Sequence, residues 1–262
     1  MEFILHILAG AAVGFAIGLT GVGGGSLMTP LLLVFGYPAP VAIGTDLLYA
    51  AVTKAGGAFS HHRRRNVQWR IVGLMAAGSI PVSVLLHWLL LDSSFQQSTQ
   101  FETILTKSLG TMLIVTAIIL IFREKLRLNA IEKKPRLLMQ AVQNNQGVAT
   151  WIMGLLLGVC VTLSSVGAGA FGAAILLVIY STTPAVRIIG TDIAHAVPLT
   201  LIAGLGYLVA GYVDLLLLVS LLVGSLPAIN LGSRISDQVP ELLLQRLLIL
   251  ILLSLGLFYS LT

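Results

Sequence analysis

Ten apolar runs dominate the chain, at 3–19, 26–36, 41–59, 67–91, 104–122, 148–165, 170–182, 186–210, 213–231 and 242–261. A bilayer core admits only structures that satisfy their backbone hydrogen bonds internally, which means helices or closed barrels. The runs lack the alternation of barrel strands, so each is expected to be helical. Runs 26–36 and 170–182 fall short of the about 20 residues that an upright span needs. The expected fold is therefore an all-α polytopic membrane protein of eight to ten segments. With 57% hydrophobic and 10% charged residues, the chain has no block polar enough for a separate water-soluble domain; such domains carry about 25% charged residues.

Charge placement predicts the orientation. Thirteen of the fifteen Lys and Arg cluster in alternate loops: Arg63, Arg64, Arg65 and Arg70; then Arg123, Lys125, Arg127, Lys133, Lys134 and Arg136; then Arg187; then Arg234 and Arg246. The opposing loops GYPAP, LDSSFQQSTQFE and GYVD carry neither residue, and Lys107 alone falls on the wrong side. Basic loops face the cytoplasm, so both termini are expected outside, in a bacterial-type inner membrane, with a cytoplasmic connector. The +5 net charge thus reads as a topology signal rather than a nucleic-acid surface. HHRRR is expected to anchor on anionic lipid, or to form an entry vestibule. Met1-Glu2 precedes the first run without a basic region or cleavage site, so that run is expected to be retained. The single cysteine, Cys160, excludes an intramolecular disulfide and a multi-cysteine metal site. No metal or cofactor is expected.

The chain repeats itself. IGTDLLYA (Ile43 to Ala50) matches IGTDIAHA (Ile189 to Ala196) at an offset of 146 residues, and the same offset pairs GSIP (Gly78 to Pro81) with GSLP (Gly224 to Pro227). It also pairs Pro38 with Pro184, and Gly21 and Gly23 with Gly167 and Gly169. The expected division is a first membrane repeat at 1–122, a connector at 123–147 and a second repeat at 148–262. Five runs per half is an odd number, so the halves should be inverted relative to each other. Inverted repeats with broken helices characterise secondary transporters, whose site lies near the midplane.

TGVGGGS (Thr20 to Ser26) and SSVGAGAFG (Ser164 to Gly172) precede the two short runs. Successive backbone N–H groups and a following helix start can cradle an anion. Thr20, Gly21, Gly23, Gly24, Gly25, Ser26, Thr29, Ser164, Ser165, Gly167 and Gly169 are the candidate substrate contacts, with Asn230 a candidate cavity residue. Close helix packing is the alternative role for such small residues. GVGGGS is not a P-loop, since it lacks the Lys-Ser/Thr ending.

Asp46 and Asp192 are ionisable residues within membrane runs, a functional signal by default; capping of their own helix starts is the competing role. His195 follows Asp192 by three positions and Tyr49 follows Asp46 by three, so each pair shares a helix face. Thr45, Asp46, Tyr49, Lys54, Thr191, Asp192 and His195 are the candidate coupling or cavity-lining set. Lys54 either attracts an anion or snorkels to the cytoplasmic surface.

These residues resemble the TauE/SafE sulfite exporter family of membrane permeases. GLTGVGGGSLMTPLL, AIGTDLLYA, SHHRRRNVQWR and GTDIAHAVPLTLIAG carry the likeness, which covers all but the central connector. It implies an inner-membrane permease moving sulfur-containing anions such as sulfite, sulfoacetate or other organosulfonates, usually outward. The second glycine stretch departs from the family form: it is poorer in glycine, and Pro30 has no counterpart near Leu176. The expected activity is secondary anion transport by alternating access. A passive anion channel is the first rival, and a membrane enzyme or assembly factor for sulfur metabolism the second.

Overall fold

The computed structural model describes residues 2–20, 27–90, 99–131, 145–167, 169–235 and 241–261. Its helices, in chain order, are α1 (Glu2–Thr20), α2 (Met28–Val34), α3 (Ala39–Arg63), α4 (Trp69–Leu90) and α5 (Thr99–Ile131). They are followed by α6 (Gln146–Ser164), α7 (Ala170–Ile179), α8 (Ala185–Val209), α9 (Leu215–Ile235) and α10 (Glu241–Leu261). Each expected run is one helix. The main departure is α5, which runs past residue 122 to Ile131 and so occupies the start of the expected connector.

Among the described residues, five helical stretches are long and apolar enough to cross a membrane: Trp69–Leu89, Gln100–Phe122, Gln146–Ser164, Ala185–Val209 and Leu215–Ile235. At 1.5 Å per residue, α2 (7 residues) and α7 (10 residues) are far too short for a core of about 30 Å. The helices expose many large apolar side chains, among them Trp88, Val209, Leu216 and Leu261. Lipid solvates such a surface as water does not, so the protein is an integral membrane protein.

Glycines set the tightest helix pairs. Gly10, Gly14 and Gly18 of α1 lie against the backbone of Leu221, Ser225 and Ile229 of α9, while Gly224 and Gly232 return the contact. Gly78 of α4 lies against Trp151 and Leu155 of α6, and Gly154 and Gly158 of α6 against Met75 and Ser79. Gly110 of α5 meets Gly256 of α10. A Cβ at these crossings would enter the partner's backbone. Small residues let helices approach closely in lipid, where association rests on packing and hydrogen bonds.

The α3 and α8 helices cross in the centre, antiparallel. Gly44, near the start of α3, packs on Tyr207 and Tyr212 at the end of α8; Gly190, near the start of α8, packs on His61 and Asn66 at the end of α3. These two contacts correspond residue for residue at the 146 offset. At the end of the bundle where α3 starts, Tyr37 Oη and His6 Nε2 are 2.9 Å apart, so α1 starts there too.

Candidate functional site

Both GTD motifs lie well inside their helices, because α3 begins at Ala39 and α8 at Ala185. Asp46 and Asp192 therefore do not cap their own helices; the helix-start N–H groups that Asp46, Thr45 and Thr191 satisfy belong to other elements. The threonines instead serve neighbouring helices. Thr45 Oγ1 accepts from Asp214 N–H (3.4 Å), just before α9, and Thr191 Oγ1 accepts from Gln68 N–H (3.0 Å), just before α4.

Both aspartates are buried, each against one of the short helices. Asp46 Oδ2 accepts from Thr29 N–H (3.2 Å) and Thr29 Oγ1 (2.5 Å), at the start of α2. Asp192 Oδ1 abuts Gly172 on α7, at a point a Cβ would overlap. Each short helix thus brings its first turn to one central carboxylate.

Lys54 is 5% exposed, which overturns the snorkelling role. Its ammonium interacts electrostatically with both Asp46 and Asp192. In a low-dielectric interior a cation without counter-charge is very costly, and the two carboxylates supply counter-charge to this one. His195 is buried beside them, with its Nε2 and Ser79 Oγ sharing a 2.8 Å hydrogen bond. Tyr49 Oη and Ser225 Oγ share one of 2.5 Å. Tyr49 and His195, and Ser79 and Ser225, are related by the 146 offset, so α4 and α9 each send one serine to the centre.

Four polar atoms of the candidate residues are buried without a hydrogen-bond partner: Asp46 Oδ1, Ser165 Oγ, Asp192 Oδ1 and His195 Nδ1. Ser165 Oγ neighbours the Asp46 carboxyl but falls outside hydrogen-bond geometry. Buried polar groups are almost always paired with protein or water. Ordered water or another polar species would satisfy such atoms.

The second glycine stretch supplies the curved backbone next to this cluster. Ser165 (φ 57°), Gly167 (φ 117°) and Gly169 (φ 131°) take left-handed conformations between α6 and α7. Ser164 is engaged locally: its Oγ donates to Cys160 O (2.6 Å) and accepts from Val166 N–H (3.2 Å). Asn230 is not part of the cluster; it is exposed on α9 and donates to Leu226 O of its own helix at 3.1 Å. Gly21, Gly23, Gly24, Gly25 and Ser26, and the side chain of Thr20, lie outside the described residues. Ser79, Ser225 and Gly172 were not singled out from sequence, although GSIP and GSLP contain the two serines at repeat-related positions.

The family model for Sulfite exporter TauE/SafE matches residues 6–259. The chain belongs to the TauE/SafE family. It is 38% identical over 256 residues to the probable membrane transporter protein YjnA of Bacillus subtilis (strain 168), covering 96% of this chain and 97% of that protein. It is 29% identical over 247 residues to the probable membrane transporter protein YdhB of the same organism, covering 92% and 94%. A probable membrane transporter protein of Haemophilus influenzae is 33% identical over a shorter stretch of 84 residues. No solved structure matches significantly. Family and relatives place this TauE/SafE chain among membrane transporters, not enzymes. Among the described residues no group of His, Cys, Asp and Glu is arranged to hold a metal.

Proposed function

We propose that this TauE/SafE protein is a secondary transporter of small sulfur-containing anions such as sulfite, sulfoacetate or other organosulfonates. It works by alternating access, with Asp46 and Asp192 exchanging protons. The observation that carries this is Lys54, buried with two carboxylates as counter-charge, together with the orphaned polar atoms of the candidate residues. Lys54 supplies the positive charge for an anion. Ser165 and the glycine-turned backbone before α7 supply hydrogen-bond donors.

Charge balance gives the coupling. One ammonium and two ionised carboxylates sum to minus one, which repels an incoming anion. Protonating one carboxylate removes that repulsion, and protonating both leaves Lys54 free to pair with the substrate. Proton and anion therefore favour each other's binding, which makes the coupled mode symport. A divalent anion carried with one proton still moves one net negative charge. An inside-negative potential drives that charge outward by about 2.3 kcal/mol per 100 mV. Export of an anion that accumulates inside the cell follows.

The paired contacts support inverted repeats. The α3–α8 crossing, the Tyr49–Ser225 and His195–Ser79 pairs, and the two threonine tethers each recur at the same offset. Such an arrangement makes the two gates near-equivalent, as alternating access requires. The charge distribution supports a cytoplasmic connector and outward termini.

The test is sulfite flux into and out of proteoliposomes with imposed pH gradients. Wild-type protein should accumulate sulfite against its gradient when protons flow with it. Asp192→Asn should abolish accumulation while downhill exchange survives. Downhill flux in wild-type protein that ignores the pH gradient would make it a passive channel instead.

A further inference from the structure

The GTD cluster is sealed by α4, and α4 carries a second feature that the site does not use. Ser79, Ser83 and His87 follow one another at four-residue spacing, so they form a stripe along one helix face. All three are buried. The stripe begins at His195, through the 2.8 Å Ser79 hydrogen bond. It ends in the last turn of α4, at the end of the bundle away from the basic HHRRR loop.

Neighbouring helices complete it. Thr162 Oγ1 of α6 donates to Ser83 Oγ (2.8 Å). Tyr207 Oη of α8 donates to Thr162 O (3.0 Å). His87 Nδ1–H donates to Ser83 O (2.8 Å), the Ala203 backbone also lies beside the ring, and Nε2 is buried. The His87 ring stands edge-on to Tyr207 at 5.2 Å and fills the space over Gly206, where a Cβ would overlap the imidazole. The protein has left a side chain off α8 to seat this ring.

The repeat provides an internal control. At the 146 offset, Ser83 corresponds to Ile229, Thr162 to Ala16 and His87 to Ser233. Ser233 is exposed, and its Oγ donates to Asn230 O of its own helix. The α1–α9 crossing packs as tightly as α4–α6 without this stripe, so packing alone does not require it. Only the half leading from His195 towards the end opposite HHRRR is polar.

We propose that this stripe is a proton path between the central carboxylates and the membrane face opposite the basic loop. This rests on the proton-coupled reading of the site. A proton leaving Asp192 passes to His195, one helical turn away on α8, and then to Ser79. The step to Ser83 is about 6 Å along the helix, a span one water relays by hydrogen bonds to both hydroxyls. His87, at the outer end of the stripe, takes the proton next, and the chain of hydroxyls resets by rotation. The charged and titratable groups facing this path are Lys54 of α3 and Asp192 of α8 at the inner end, and Tyr207 of α8 at the outer end. Over its length α6 contributes no charged residue, and its one titratable side chain is Cys160. The path is separate from the anion route, so when the site faces that side proton and substrate reach it by different ways.

The experiment uses the full chain in liposomes with a trapped pH dye and a sulfite gradient, paired with equilibrium sulfite binding to the detergent-solubilised protein. Thr162→Val keeps the side-chain shape and removes the hydroxyl. His87→Gln keeps a polar group but cannot carry a proton at neutral pH. Each should slow sulfite-driven proton flux about tenfold or more, the scale of a 1.4 kcal/mol barrier, while leaving sulfite affinity unchanged. Thr162→Ser, which restores the hydroxyl, should recover the flux. Wild-type flux without proton movement would overturn both the coupling and the path. Coupled wild-type flux with both variants equally fast would overturn the path alone. So would weaker sulfite binding in the variants, which would make these residues part of the anion site.

Discussion

Lys54 decides what the central cluster can be. Two buried aspartates, one on α3 and one on α8, would alone repel any anion; with the buried ammonium they become a switchable site. Lys54→Met should abolish measurable sulfite binding in equilibrium assays. Restored binding in a Lys54→Met, Asp46→Asn double variant would show that charge balance matters and the lysine itself does not. Gly172 is equally exacting. Its Cβ would displace the Asp192 carboxylate, so Gly172→Ala should reduce coupled flux severely in protein that still runs as a single monodisperse species. A variant with normal flux would mean that the Asp192 position tolerates a shift. The glycine was legible as part of a flexible stretch. Its carboxylate neighbour was not, because that residue lies twenty positions on, across a helix boundary.

At the scale of elements, the two threonines of the GTD motifs act as tethers between helix ends. Thr45→Val and Thr191→Val each leave a helix-start N–H without its acceptor, Asp214 N–H and Gln68 N–H respectively. A lost hydrogen bond of this kind costs about 1 kcal/mol. The tethers lie at opposite ends of the bundle, so thermal unfolding of the double variant should show the sum of the single losses. The glycine crossings are less forgiving. Gly78→Leu and Gly224→Leu would force α4 from α6 and α1 from α9, and both should fail to yield folded protein in detergent. Helix limits were readable from apolar runs to within a few residues. The continuation of α5 to Ile131 was not, because its last turns are polar and amphipathic signals weaken once a helix leaves the lipid.

The whole molecule is organised around the antiparallel α3–α8 pair, whose ends are clasped by the partner's loop. In a Cys160→Ser background, Arg65→Cys and Gly211→Cys should react with a membrane-impermeant thiol reagent from opposite sides of the membrane. Labelling of both from one side would contradict the antiparallel insertion. The same geometry explains why the repeat is strongest in the GTD helices: each must present a threonine to a loop and a carboxylate to the centre.

The sequence by itself determined the helical class, the approximate places of the apolar segments, the 146-residue correspondence and the residue types of the central set. These are properties of local hydrophobicity and of pairwise likeness along the chain. Only the tertiary structure decided which way those residues face. Helical spacing put Lys54 within reach of the Asp46 face, but its choice between the lipid surface and the interior depended on Asp192, 138 positions away, arriving on the opposing helix. Burial of a charge is settled by its partners, and here the partners come from the other half of the chain.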